Sequence, residues 1–404
     1  MNIRFASVFG GMLPRALGPA GVLASAVLAA CGSPDVDNPK PDAADAGITG
    51  DLSPSDVSIL WPAPENGELP PGYLKIFPAA GERGPGLPSA ARDVMPDLHA
   101  DLPGGAKTTL TVIAARVDPC APRASGPCVH ELRLSAETLA VGLDDAALHL
   151  IYELDDARFA ALASDLTTWR AHSPASTSGR LRVHPGLAAA GIGSAFAEEL
   201  HDIIVRYATE ESLISFTTNH FAFDNWGFSR FVRNGAVFEK VDLPGLPAGT
   251  LSQSWLRQAQ QDDLDDPNGT LTPAPAKNFG ALLKTDALVA GTSTPEVLAA
   301  RDAVLENEHP GKTNSAKNDC GSCHLADAAH RWAEKRGVVF DTLEKYLPPA
   351  GVDVTVDVPP ELMGNASNTV AFGYHRVRHE KLVPSISARV AAETAEVVKR
   401  LREP

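Results

Sequence analysis

Cys320-Gly321-Ser322-Cys323-His324 gathers two thiols and an imidazole into five consecutive residues. Thiols three positions apart face one side of a helical turn, as two thioether bonds to the vinyl groups on one porphyrin edge require, and the next residue then lies under the iron. A zinc ribbon would need a second Cys or His pair, and none follows at such a spacing. A thioredoxin-like pair would follow a strand in a βαβ unit, whereas Lys312 to Asp319 reads as a polar loop. Covalent haem attachment is carried out beyond the cytoplasm, so the expectation of one haem c depends on export.

The N-terminus supplies that condition. Arg4 and Arg15 give a positive start, and Leu17 to Ala30 is an apolar run too short for a comfortable transmembrane helix, the pattern of a secretory signal peptide. Its end, Leu28-Ala29-Ala30-Cys31, resembles the lipobox of bacterial lipoproteins. The resemblance implies an acylated Cys31 as first mature residue and the lipid bilayer as a partner; the alternative is a chance cysteine in an ordinary cleavable signal. Several acyl chains anchor a protein stably, at about 0.8 kcal/mol per buried methylene. By analogy with lipoproteins whose second residue is not aspartate, Gly32 implies the outer membrane, with the body facing the periplasm or cell surface.

The chain has 404 residues, so it remains longer than one compact core usually holds after the signal is removed, and two domains are expected. A formal charge of −15 argues against nucleic acid and anionic lipid surfaces and suits a basic redox partner protein. Of five cysteines, Cys120 and Cys128 remain as an even pair for an oxidising compartment, and a disulfide between them is expected. Closing so short a loop would contribute about 2.6 kcal/mol on the chain-entropy model.

The elements that must position these groups follow from pattern. Residues 1–30 are the signal peptide, and 31–58 form an acidic, Pro-rich tether with too little apolar surface to order itself, spanning roughly 30 Å. Residues 59–250 read as an α+β domain of unreadable function. Within it, Lys107 to Val117, Val129 to Ser135 and Ala147 to Leu154 are β-prone, and Asp155 to Arg170 and Ala188 to Tyr207 have helical spacing. Leu213 to Thr218, Trp226 to Val232 and Ala236 to Val241 are strands again, with Asn234-Gly235 as a hairpin signal. Glu198, Glu199, His201 and Asp202 read as a solvated helix face, and Phe221, Phe223, Trp226, Phe228 and Phe231 as sheet core. The acidic run Asp262 to Asp266 falls in a linker over 251–290.

Residues 291–404 carry the haem motif between a helix from Thr294 to Glu308 and an amphipathic one from Ile386 to Leu401. Together these features resemble a single-haem class I cytochrome c domain, over about a quarter of the chain. The resemblance implies crossed terminal helices, thioether bonds from Cys320 and Cys323, and His324 as proximal iron ligand. It also implies a distal ligand farther along: Met363 in an irregular apolar turn, or His375 behind Phe372-Gly373-Tyr374, with His379 among charges. A thioether there would raise the reduction potential and a second imidazole would lower it.

The fold class expected is therefore an α+β N-terminal domain, mostly antiparallel sheet with helices, plus a mainly α cytochrome c-like C-terminal domain. The function expected is a membrane-anchored electron carrier rather than an enzyme. The alternatives are a five-coordinate haem enzyme or gas- or peroxide-binding protein, and a surface-binding lipoprotein with an accessory haem.

Overall fold

The structure, a computed structural model, describes residues 52–64, 71–96, 110–123, 126–139, 146–178, 181–222, 225–243, 250–252, 295–308, 372–377 and 381–402. Seven strands lie side by side in chain order: β1 (Ser58–Leu60), β2 (Leu110–Ala121), β3 (Val129–Thr138), β4 (Ala146–Leu154), β5 (Leu213–Ala222), β6 (Asn225–Asn234) and β7 (Val237–Val241). A short β8 (Thr250–Ser252) pairs with the start of β6, and every pair is antiparallel. The expected antiparallel α+β architecture is what forms. One turn differs in detail: Asn234 pairs with Val237, so the two loop residues are Gly235 and Ala236. Gly235 takes the positive φ of 62° that a tight hairpin turn needs, and Asn234 remains in the strand with its side chain bonded to Glu239.

Residues directly opposite in neighbouring strands share a face. Leu132 opposite Tyr152, Leu134 opposite Leu150, and Leu150 opposite Phe216 make an apolar face. Against it lies α3 (Asp156–Ala171), with α5 (Ala195–Tyr207) packed on α3 and α4 (Pro185–Ala190) on α5, all on the connection from β4 to β5. Asp155 caps α3 by accepting from Arg158 N, and Ser194 caps α5 by accepting from Ala197 N. The helical region expected from Ala188 is two helices because Gly191, at φ 84°, ends α4. Phe159, Leu162, Leu166 and Trp169 of α3 are buried beside Phe196, Leu200 and Ile204 of α5. The Trp169 ring stacks on Phe196 at 4.6 Å while its indole N–H donates to the Phe196 carbonyl, so one aromatic fixes both packing and direction.

The ends of the chain contribute to the same core. Residues Leu52 to Val57 were expected to finish a solvated tether, yet they are buried, as α1 (Pro54–Val57) leading into β1. Composition misleads here because Asp56, fully buried, is satisfied by partners far along the chain. On the C-terminal side, α6 (Pro295–Glu308) is followed by a hairpin of β9 (Phe372–Val377) and β10 (Lys381–Ile386) that the sequence pattern did not suggest, then by α7 (Ala388–Arg402). The helix expected to cross α6 in a separate haem domain instead lies on β2 and α1. Glu393 bonds Arg116 of β2 at 2.8 Å, and Thr394 bonds Ser58 of β1 at 2.8 Å. Arg389 donates to the Asn307 carbonyl at the end of α6, and the Tyr374 hydroxyl donates to the Trp61 carbonyl. The described C-terminal elements therefore share the core of the sheet across the boundary expected at 291.

Cys120 and Cys128 are disulfide-bonded across the β2–β3 loop, eight residues apart. Arg400 of α7 donates to the Cys120 carbonyl at 3.2 Å, which ties this loop to the last helix. Replacing both cysteines by serine is expected to lower unfolding free energy by about 2.6 kcal/mol on the loop-entropy argument. Urea denaturation of the double variant beside the reduced parent checks this; equal stability of variant and oxidised parent would refute it.

Candidate functional site

The second face of the sheet is polar and yet buried. Arg116 stands opposite Arg133, Asp118 opposite Glu131, Ser135 opposite His149, and His149 opposite Thr217. All of these side chains are buried, as are Glu137, Ser215 and Asn219 on the same face. Charges so placed must be paired, since an isolated ion out of water costs several kcal/mol. Glu131 bonds Arg133, and Arg116 is paired with Glu393. Burial alone would raise the Glu393 carboxyl, but the guanidinium groups of Arg389 and Arg116 outweigh it and hold the group down at about 2.

His149 is one of several residues of this layer, with Arg116 and Asn219, that keep a buried polar atom unpaired. Its Nδ1 is 3.0 Å from Ser135 Oγ, while its Nε2 is buried without a hydrogen-bond partner. Burial pushes the imidazole down to about 3, so the ring is neutral across the physiological range. The hydrogen bond with Ser135 holds the ring in place and leaves Nε2 as its unpaired atom. Leaving that nitrogen unpaired costs about 1–3 kcal/mol. Among the described residues no group of three His, Cys, Asp or Glu side chains is arranged to hold a metal ion, so His149 could serve only as a single ligand.

A separate cleft of about 350 Å³ lies between α5 and the loop from Pro71 to Arg83. His201 lines it and is buried, which corrects the expectation for this residue, while Glu198 is exposed as expected of a solvated face. Burial lowers the His201 imidazole against the pull of Glu198 and Asp202. The charges around it pair at the surface, Arg83 with Asp202 at 2.6 Å and Lys75 with Glu82 at 3.2 Å.

Cys31, Cys320, Cys323, His324, Met363 and His379 lie outside the described residues. His375 is in β9, opposite Val383. Phe372 and Tyr374, just before it, are both buried in the core, the latter bonded to Trp61. Phe228 and Phe231 are buried as expected of sheet core. His149 and Ser135 were not singled out by sequence reasoning; the only signal was alternation of polar residues along β3, which reads equally as a solvent face. Among the described residues no helix is long and apolar enough to cross a membrane.

The architecture defines the chain's class as an α+β protein built on one antiparallel sheet in chain order, with a polar buried face. No protein-family model, curated protein or solved structure matches it.

Proposed function

We propose that the chain is an exported electron carrier, anchored to a bacterial membrane through acylated Cys31, that holds one haem c through Cys320 and Cys323 with His324 as proximal iron ligand. The observation that carries this reading is the five-residue motif Cys320 to His324 in a chain whose residues 1–30 have the pattern of an export signal followed by Cys31. The haem supplies a reversible one-electron Fe(III)/Fe(II) couple, the electron coming from and passing to a redox partner protein. The cytochrome c-like character of residues 291–404 belongs to this proposal, and so does an outer-membrane location facing the periplasm or cell surface. The acidic body, at −15, favours a basic partner and disfavours nucleic acid.

The described residues on either side of the motif are held by one element: Asn307 accepts from Arg389 of α7, and Phe372 pairs with Ile386 just before α7.

The test is expression of the full chain in a bacterium that attaches haem covalently, followed by haem staining of the denatured protein. The parent is expected to stain and to give a one-electron potentiometric titration, and Cys320→Ala with Cys323→Ala to lose all covalent haem. Loss of fatty-acid labelling is expected for Cys31→Ser. A parent that carries no covalent haem would sink the proposal.

A further inference from the structure

The cleft between α5 and the loop from Pro71 to Arg83 shares no residue with the haem motif, and its walls are fixed in advance of any ligand. The loop is pinned along its length. Ile76 N donates to the Leu110 carbonyl at 3.0 Å and Val112 N to the Leu74 carbonyl at 2.8 Å, which ties its middle to β2. Gly72, at φ 109°, passes so near the turn before α5 that a Cβ there would stand 3.0 Å from the Ile192 carbonyl oxygen. At the far end Arg83 reaches across to Asp202 of α5 at 2.6 Å. The volume held between these walls, about 350 Å³, is at the small end of the range for preformed small-molecule clefts.

We propose that this cleft binds a small organic cation, a primary ammonium group on an aliphatic stem, with Glu198 as its counter-charge and His201 as the neutral acceptor beside it.

Charge is the first argument. The wall carries three carboxylates, Glu82, Glu198 and Asp202, against two cations, Lys75 and Arg83. Lys75 pairs with Glu82 at 3.2 Å and Arg83 with Asp202, so each cation already has its anion. Glu82 is held further by the Ala79 amide at 3.0 Å. Glu198 is exposed, one helical turn before Asp202, and among the described residues it pairs with no cation. An anionic ligand would have to displace a paired carboxylate and then lie beside Glu198. A cationic one meets a carboxylate that has no other partner.

His201 is the second. The residue is only 7% exposed, and its Nε2 has no partner. Other residues share that condition, but none of them lines this cleft. His201 follows Glu198 by one helical turn, so the two belong to one face of α5. Burial lowers the imidazole below its ordinary value against the pull of Glu198 and Asp202. The ring is therefore neutral at physiological pH, the form that accepts a hydrogen bond from an ammonium group.

The third argument is the rest of the lining. Pro71, Leu74 and Val205 are apolar, and the last two belong to the core or pack against it. Such a wall suits an aliphatic stem and gives nothing to a hydrated metal ion. Among the described residues no three His, Cys, Asp or Glu side chains are arranged to hold one.

The experiment is calorimetric titration of the full chain with hexylammonium, hexanoate and hexanol, which share one stem and differ in charge. Hexylammonium is expected to bind saturably, one molecule per chain, and the other two at least about tenfold more weakly. Glu198→Gln, at an exposed position, should keep the parent's urea midpoint and bind hexylammonium about tenfold more weakly. In histidine-labelled protein, the His201 ring resonance should shift on addition of hexylammonium and stay in place with hexanol. No saturable binding of hexylammonium up to about 10 mM would overturn the site. So would hexanoate binding as tightly, an unchanged dissociation constant in Glu198→Gln, or a His201 resonance that does not move. A chain without covalent haem would sink the carrier reading and leave this one standing.

Discussion

Asp56→Ala is expected to lower the unfolding free energy by about 3 kcal/mol, because it removes one member of a buried ionic network and leaves the others without a counter-charge. The carboxylate is fully buried. Its Oδ2 accepts from the Ser53 amide at 2.8 Å, from the Thr177 hydroxyl at 3.0 Å and from Arg170 Nε at 3.2 Å. Its Oδ1 faces His184 Nε2 at 3.4 Å. The Nδ1 of His184 accepts from the Leu187 amide, so the ring hydrogen is on Nε2 and points to Asp56. One side chain thus joins α1 to the end of α3 and the start of α4, and that join fixes where β1 enters the sheet. Arg170 is partly exposed, which allows water to relieve some of the loss and sets the estimate at the lower end of the range for broken buried pairs. Asp56→Asn keeps the shape and the Ser53 bond but not the charge, and should lie between parent and alanine variant. Urea denaturation of the three proteins decides the matter. A loss below about 1 kcal/mol for the alanine variant would mean that the network is incidental.

Asp56 also marks where sequence reasoning stopped being sufficient. The stretch before Ser58 is poor in large apolar residues, and composition alone assigns it to solvent. Its order comes from hydrogen bonds to Thr177 and His184, more than a hundred residues away, and no local rule contains them. The spacing of Ser53 and Asp56 around Pro54 is a capping-box signal, visible in retrospect. The sheet was legible because its two-residue alternation and turn residues are local. Its polar face was not, since Glu131, Arg133 and Ser135 alternate as a solvent-facing strand would, and burial depends on what packs above them. His149 was hidden for the same reason: one histidine in an apolar strand, Leu148-His149-Leu150, carries no spacing to mark it. The haem motif is the reverse case. Its chemistry is legible from five residues, and its partners in the fold are not.

Stability toward acid is expected to depend on Glu393. Burial would push its carboxyl up, but Arg389 at 2.9 Å and Arg116 at 2.8 Å, with Arg133 beyond them, hold it at about 2 against 4.5 when unpaired. A carboxyl depressed in the folded state binds its proton less readily than in the unfolded chain. Its contribution is therefore complete above pH about 4.5 and is lost as pH falls through about 2. A shift of this size corresponds to about 3 kcal/mol at neutral pH. Glu393→Gln removes the titration and leaves Arg116 and Arg389 buried without their partner, so the variant should be less stable than the parent by about that amount at pH 7. The gap should close as pH falls toward 2. Urea midpoints for both proteins, measured from pH 7 to 2, test this; a gap that does not change with pH would refute the linkage. The consequence reaches beyond stability, because α7 holds β2 through Glu393 and, on the same side, the end of α6 through Arg389. Protonation that frees α7 from β2 also loosens the end of α6 and the β9–β10 hairpin that leads into α7. Hydrogen exchange in β9 and β10 should then accelerate over the same pH range as the stability loss.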